Sequence, residues 1–69
     1  MERLQITLAS ARVNAGLTQE MVAKRMNVSK VTIISWEKGR VKPSLANLEM
    51  LARIYGISID DFSLDKKFT

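Results

Sequence analysis

The 69-residue chain is long enough for one domain, and its hydrophobic content of 46% is typical of a folded globular protein. The absence of cysteine excludes disulfides and thiolate metal sites, and the absence of histidine removes the commonest general base and metal ligand. No apolar run approaches the roughly 20 residues of a membrane span, and the first residues lack the basic-then-apolar order of a secretory signal. We therefore expect a cytoplasmic protein without a metal, a cofactor or a small-molecule ligand domain.

The positive charge is concentrated in the middle of the chain. The net charge is +4, yet residues 24–42 carry six basic residues and one acid, so this segment sums to +5 and the remainder to −1. Such a concentration favours a polyanionic partner, although a basic cluster is also compatible with a solvated face. The basic residues are Lys24, Arg25, Lys30, Lys38, Arg40 and Lys42, of which we assign Lys24 and Arg25 to a solvated face; the acid is Glu37.

Helical spacing of apolar residues predicts the first two helices. The first is predicted over about residues 4–14 and ends at Gly16, which tolerates left-handed geometry. The second follows Thr18, a good N-cap, and ends at Asn27, the residue type best suited after glycine to a sharp turn with positive φ. The prediction of the first helix is based on the helical spacing of Leu4, Leu8, Ala11 and Ala15.

The second half of the chain continues this helical pattern. Ser29 caps a third helix that runs to about Lys38, with Ile33 and Trp36 facing inward. A fourth helix opens at Pro43-Ser44 and ends at Gly56. Its predicted inward stripe is Leu45, Leu48, Leu51, Ala52 and Tyr55.

A short final element completes the predicted fold. Ser58 and Asp61 form a capping-box pair, and Ile57 and Phe62 a hydrophobic staple. We therefore predict an all-α, compact five-helix domain over residues 1–64, followed by a short tail over residues 65–69. Phe62, with Leu64 and Phe68, is a candidate for either a lid on the core or a dimer patch.

The second and third helices meet the requirements of a helix-turn-helix unit at about residues 18–38. Such a unit needs a small residue in its first helix, a positive-φ residue in the turn and an apolar anchor after it. Ala23, Asn27 and Val28 satisfy these needs in order, and Ile33 supplies a buried contact in the second helix of the unit.

A longer set of residues closely resembles the lambda-repressor-like helix-turn-helix family of the Cro/CI or Xre type. The set is Thr18-Gln19-Glu20, Ala23, Asn27-Val28-Ser29, Thr32-Ile33, Trp36-Glu37, Gly39, Pro43-Ser44, Leu48 and Ala52, and the resemblance extends over about residues 4–62. It implies a five-helix all-α domain, a transcriptional repressor of phage or mobile-element type, and dimers on a palindromic double-stranded DNA operator.

The same resemblance implies roles for individual residues. The third helix would lie in the major groove and read bases with Lys30, Val31, Thr32 and Ser35. Contacts to phosphates would come from Gln19, Ser29, Lys38, Arg40 and Lys42. Arg12 and Glu37 would form a partly buried ion pair that joins the first and third helices.

Other classes of function are less favoured. A protein-interaction module of the same fold is favoured by apolar Val31 and Ile34, but the basic excess opposes it. An enzyme is disfavoured because nothing places a nucleophile beside a base, and no glycine-rich phosphate loop is present. Binding of single strands is disfavoured because the four aromatic residues are mostly assigned to packing.

Overall fold

The computed structural model describes residues 6–62, and this part of the chain is all-helical. Its elements are α1 (Leu8–Asn14), α2 (Gln19–Met26), α3 (Lys30–Glu37) and α4 (Leu45–Tyr55), followed by a single 3-10 turn at Ile59–Asp61. The predicted all-α class is confirmed. The predicted count of five helices is not confirmed: the described residues hold four α-helices, and the final element is one 3-10 turn.

Each α-helix begins after a serine or threonine whose side-chain oxygen accepts a backbone N–H in the first turn. The four N-caps are Thr7, Thr18, Ser29 and Ser44. In the 3-10 turn the Ser58 N–H donates to Asp61 Oδ2 at 3.1 Å, which confirms the predicted capping-box pair. Short polar side chains therefore fix where every helix starts.

The predicted start of the first helix is wrong. We expected it near residue 4, but Thr7 has an extended backbone and caps a helix that begins at Leu8. Ile6 is instead held by its N–H, which donates to the Asp61 carbonyl at 2.8 Å in an isolated bridge beside Phe62. Because the backbone is still extended at Thr7, next to this bridge, the helix starts only at Leu8; Leu4 itself lies outside the described residues.

The core forms where the four helices and the 3-10 turn meet. α2 packs against α3 and α4, α1 packs against α3 and α4, and α4 also packs against the 3-10 turn. Trp36, Tyr55 and Phe62 are all buried, and the Tyr55 and Phe62 rings meet edge to face at 6.4 Å. Phe62 is therefore a lid on the core; Leu64, Phe68 and the predicted tail over residues 65–69 lie outside the described residues.

The predicted inward stripe of α4 contains one error. Leu48, Leu51, Ala52 and Tyr55 are buried as expected, but Leu45 is 66% exposed. The residue sits in the first turn of the helix, at the edge of the stripe, and no other element covers it. Within residues 6–62, no helix is both long and apolar enough to cross a membrane.

Candidate nucleic-acid interface

The turn between α2 and α3 has the geometry that the sequence requires. Asn27 ends α2 in the left-handed region with φ 57°, and the Val28 N–H donates to the Ala23 carbonyl at 3.0 Å. Val28 is half-buried against the core, and Ala23 is buried. These contacts confirm the predicted turn, and they fix the angle between α2 and α3.

α3 is buried along one side and exposed at its amino-terminal turn. Ile33 and Trp36 pack into the core, which confirms their predicted inward orientation. Lys30 is exposed, and the Val31 side chain is 69% exposed. Thr32 and Ser35 are half-buried. The amino-terminal turn of α3 therefore presents a cation and an apolar side chain next to each other.

The segment between α3 and α4 carries the remaining exposed basic side chains of the predicted interface. Lys38, Arg40 and Lys42 are all exposed. The Ser35 carbonyl accepts the Arg40 N–H at 2.9 Å, which anchors this segment to the end of α3. The three cations therefore lie in the segment that comes directly after α3 in the chain, and Lys30 lies in the amino-terminal turn of the same helix.

Ser29 and Lys30 are engaged within the protein. The Ser29 hydroxyl accepts the Thr32 N–H at 3.2 Å and shares a hydrogen bond with the Thr32 hydroxyl at 3.0 Å. Lys30 Nζ lies 3.4 Å from Glu20 Oε1, and both side chains are largely exposed. Such an exposed pair contributes little to stability and is easily exchanged for another partner. Residue types gave no reason to expect the Lys30–Glu20 contact.

An ion pair connects α1 to α3, as predicted. Arg12 Nε donates to Glu37 Oε2 at 2.7 Å, and Arg12 Nη2 donates to Glu37 Oε1 at 3.3 Å. The two side chains are only 15% and 8% exposed, so the pair is largely shielded from water. Hydrogen bonding to Glu37 raises the pKa of Arg12, against the opposing effect of burial.

Gln19 joins this pair, which the sequence did not reveal. Gln19 Nε2 donates to Glu37 Oε1 at 3.0 Å, so one carboxylate binds side chains from α1 and α2. Its primary amide has a second N–H and an oxygen. A depression of about 320 Å³ lies beside it and is lined by Arg12, Leu17, Thr18, Gln19, Glu20 and Lys30. Because Gln19 and Glu37 are 18 residues apart, no local pattern could have indicated their contact.

Two short helices joined by a tight left-handed turn, with the second helix exposed at its start, define the helix-turn-helix class of DNA-binding domains. The helix-turn-helix family HTH_3 matches residues 8–62. The chain belongs to this family, which is of the Xre/Cro-CI type and comprises transcriptional regulators that bind DNA.

Curated relatives carry the same domain. An uncharacterized HTH-type transcriptional regulator from Methanocaldococcus jannaschii is 47% identical over 45 residues, which cover 65% of this chain and 68% of the relative. The cryptic phage CTXphi transcriptional repressor RstR of Vibrio cholerae is 39% identical over 56 residues, covering 81% of this chain and 50% of RstR. The HTH-type transcriptional activator BcrR of Enterococcus faecalis is 32% identical over 54 residues, covering 78% of this chain and 26% of BcrR.

Proposed function

We propose that this protein is a sequence-specific repressor that binds a palindromic double-stranded DNA operator as a homodimer. The observation that carries the proposal is the exposed amino-terminal turn of α3, which is held on the body by buried Ile33 and Trp36 and is followed by three exposed cations. An α-helix fits the major groove of B-form DNA, where its first residues reach base edges. The role is one of binding, with no catalytic step, and it belongs in the cytoplasm.

The proposed base contacts come from four residues of α3. Lys30 donates to the guanine acceptors O6 and N7 once it leaves Glu20, and Val31 packs on a thymine methyl group. Thr32 offers a methyl group and a hydroxyl, and Ser35 lies about one turn further along the helix. Exposure of Lys30 and Val31 supports this assignment.

The proposed phosphate contacts surround these readers. The second amide N–H of Gln19 and the depression beside it suit a phosphate oxygen near the start of α2. The Ser29 hydroxyl lies at the start of α3. The exposed cations Lys38, Arg40 and Lys42 neutralise phosphates on the other side of the readers. Such contacts set the position of the protein on the duplex without reading its sequence.

Repression is favoured over activation by the similarity to RstR. RstR is a phage repressor, and it is more similar to this chain than the activator BcrR is. Three quarters of the activator BcrR lies outside the matched region, whereas half of RstR is matched. A dimer on a promoter would act by occluding polymerase.

Selection of bound sequences from a random duplex pool tests the proposal. We expect a palindrome whose half-sites are about 10–10.5 base pairs apart. On the selected operator, Lys30→Ala should lose discrimination at one base pair, by about 1–3 kcal/mol. Arg40→Ala should weaken all duplexes alike and reduce the slope of log affinity against log salt by about 1.

Lys24→Ala is the matched control, since Lys24 is an exposed lysine of α2 that we leave outside the interface. Identical behaviour of the Lys30 and Arg40 variants across operator sequences would contradict the division into readers and phosphate contacts. A purified protein that ignores duplexes at low salt would contradict the proposal itself. That result would instead favour the protein-interaction module, for which exposed Val31 would be the first contact to test.

A further inference from the structure

One side of α4 is left uncovered along its whole length. Its exposed residues are Leu45, Ala46, Glu49, Met50 and Arg53. At 3.6 residues per turn these five positions fall within an arc of about 140° on the helix surface. The opposite side holds the buried Leu48, Leu51 and Tyr55. The exposed arc, which we call the α4 face, combines a protruding Leu45, half-exposed Met50 and two opposite charges.

A depression lies at the carboxyl-terminal end of the same face. Its volume is about 320 Å³, and its lining residues are Glu49, Ala52, Arg53, Ile57 and Ile59. Ile57 and Ile59 are half-buried and pack against the core, so they give the depression an apolar floor. The α4 face therefore carries a protruding aliphatic side chain at one end and an apolar recess at the other.

From this arrangement we infer that the α4 faces of two copies of the chain pair antiparallel about a two-fold axis. In a two-fold symmetric (isologous) interface the same patch of both copies is in contact. The patch must therefore hold both the protruding side chain and the recess that receives it, and each contact forms twice. Leu45 of each copy enters the depression of the other copy. Because Leu45 and the recess lie at opposite ends of one face, the face holds both halves of such a contact. The inference rests on the proposed function only in identifying this pair as the dimer that binds the operator.

The charges of the α4 face select the antiparallel arrangement. Glu49 and Arg53 are four residues, or about 6 Å, apart along the helix. When the two-fold axis crosses the helix midway between Glu49 and Arg53, at the height of residue 51, Glu49 of each copy lies opposite Arg53 of the other. A parallel arrangement would place like charges opposite each other, which disfavours it. The same axis position brings each Leu45 level with the residues just beyond the end of the other α4, where the depression lies.

The proposed interface is small, so dimerisation must be measured as a function of protein concentration. α4 has 11 residues, and with the axis between the levels of Glu49 and Arg53 about nine of them overlap with the partner helix, over about 13 Å. Interfaces below about 1,200 Å² are usually transient. We therefore expect a reversible dimer whose population rises with protein concentration and with operator DNA, and analytical ultracentrifugation over a concentration series is the direct measurement.

Leu45→Gln tests the contact with the depression. The variant should weaken dimerisation by about tenfold, because the side chain that fills the recess is lost. Val13→Gln is the matched control: Val13 is 62% exposed, close to the 66% of Leu45, but lies on α1. The control should dimerise like the unmodified chain. Both substitutions are at exposed positions, so both Tm values should match that of the unmodified protein when measured at dilutions where the unmodified chain is monomeric.

A charge reversal tests the orientation of the pair. Glu49→Arg should weaken dimerisation, because it places position 49 of each copy opposite Arg53 of the other with like charge. The double variant Glu49→Arg, Arg53→Glu should restore dimerisation, since the opposite charges face each other again. Unchanged dimerisation of Leu45→Gln, failure of the double variant to recover, or a chain that stays monomeric over the whole series would each overturn the inference.

Duplex binding, followed separately by fluorescence anisotropy, distinguishes this inference from the proposed function. A protein that dimerises through the α4 face but ignores DNA would remove the proposed function and leave the interface. A protein that binds operator DNA but dimerises independently of Leu45 would remove the α4 interface and leave the proposed function.

Discussion

Glu37 is the residue on which the arrangement of the first three helices depends. Its carboxylate accepts hydrogen bonds from Arg12 of α1 and Gln19 of α2, while its backbone belongs to α3. Arg12 Nη1 also donates to the Leu17 carbonyl at 3.0 Å, so the pair fixes the loop between α1 and α2. A single side chain thus connects the end of α2 that we propose binds phosphate to the helix that carries the proposed readers.

Glu37→Ala should therefore lower the free energy of unfolding by about 3 kcal/mol. The substitution leaves the Arg12 guanidinium shielded from water without its counter-charge, and such uncompensated charges are strongly destabilising. Urea denaturation at fixed protein concentration and neutral pH measures the change. In a domain of this size a loss of that magnitude is a large fraction of the total stability.

The control for this measurement is Lys24→Ala, at an exposed position of α2. It should change the free energy of unfolding by less than about 0.5 kcal/mol. If Glu37→Ala were equally mild, the network would be a surface feature with no part in holding the helices together.

At the scale of the elements, the turn between α2 and α3 is the most constrained segment. Asn27 is the one non-glycine residue with positive φ in the part of the chain that the structure describes. Left-handed geometry is unfavourable for residues with a Cβ atom, by roughly 1–2 kcal/mol, and asparagine tolerates it best. The angle between α2 and α3 depends on this residue because no longer loop is available to absorb a change.

Asn27→Ala should lower the free energy of unfolding by about 1 kcal/mol, whereas Asn27→Gly should leave it nearly unchanged. The physical reason is that alanine resists φ near 57° and glycine does not. Thermal unfolding of the two variants beside the unmodified protein gives the comparison. Equal stability of the alanine and glycine variants would mean that the turn relaxes to another geometry.

The sequence predicted the elements well where short-range chemistry decides them. Thr18, Ser29 and Ser44 cap α2, α3 and α4 as expected, and Asn27 and Gly56 end α2 and α4 in left-handed geometry. Caps and turn residues act within a few positions of themselves, so their effect can be read from the chain. The helix-turn-helix unit follows from them.

The errors and omissions arise from contacts between distant residues. The bridge between Ile6 and Phe62 keeps the chain extended up to Thr7, so α1 starts later than predicted, and it joins the two ends of the described chain. Leu45 has the spacing of a core residue, but it lies about 70° from the centre of the buried stripe, and nothing packs over it. The Gln19–Glu37 and Lys30–Glu20 contacts depend on how helices cross, which residue spacing does not specify.

At the scale of the whole molecule, one phenol reports on the packing of the core. Tyr55 is buried at the end of α4, its ring meets Phe62, and it is influenced by the charges of Glu37 and Arg12. Burial, aided by the negative charge of Glu37, raises the pKa of Tyr55 to about 12 from an ordinary value of 10.0. It is the single tyrosine of the chain, so phenolate absorbance reports on this position alone.

The raised pKa makes the stability of the folded molecule depend on alkaline pH. The folded state favours the neutral phenol, so the stabilisation is complete below pH 10, where the unfolded chain also keeps the proton. As the pH rises from 10 to about 12, the unfolded phenol ionises first and the stabilisation is lost. Tyr55→Phe keeps the ring in the core and removes the titrating phenol, while every other residue remains common to both proteins. The free energy of unfolding of the unmodified protein should therefore fall relative to that of Tyr55→Phe across this window, as measured by urea denaturation at each pH. A difference between the two proteins that stays constant from pH 10 to 12 would show that the phenol is hydrated in the folded state and that this end of α4 is open to water.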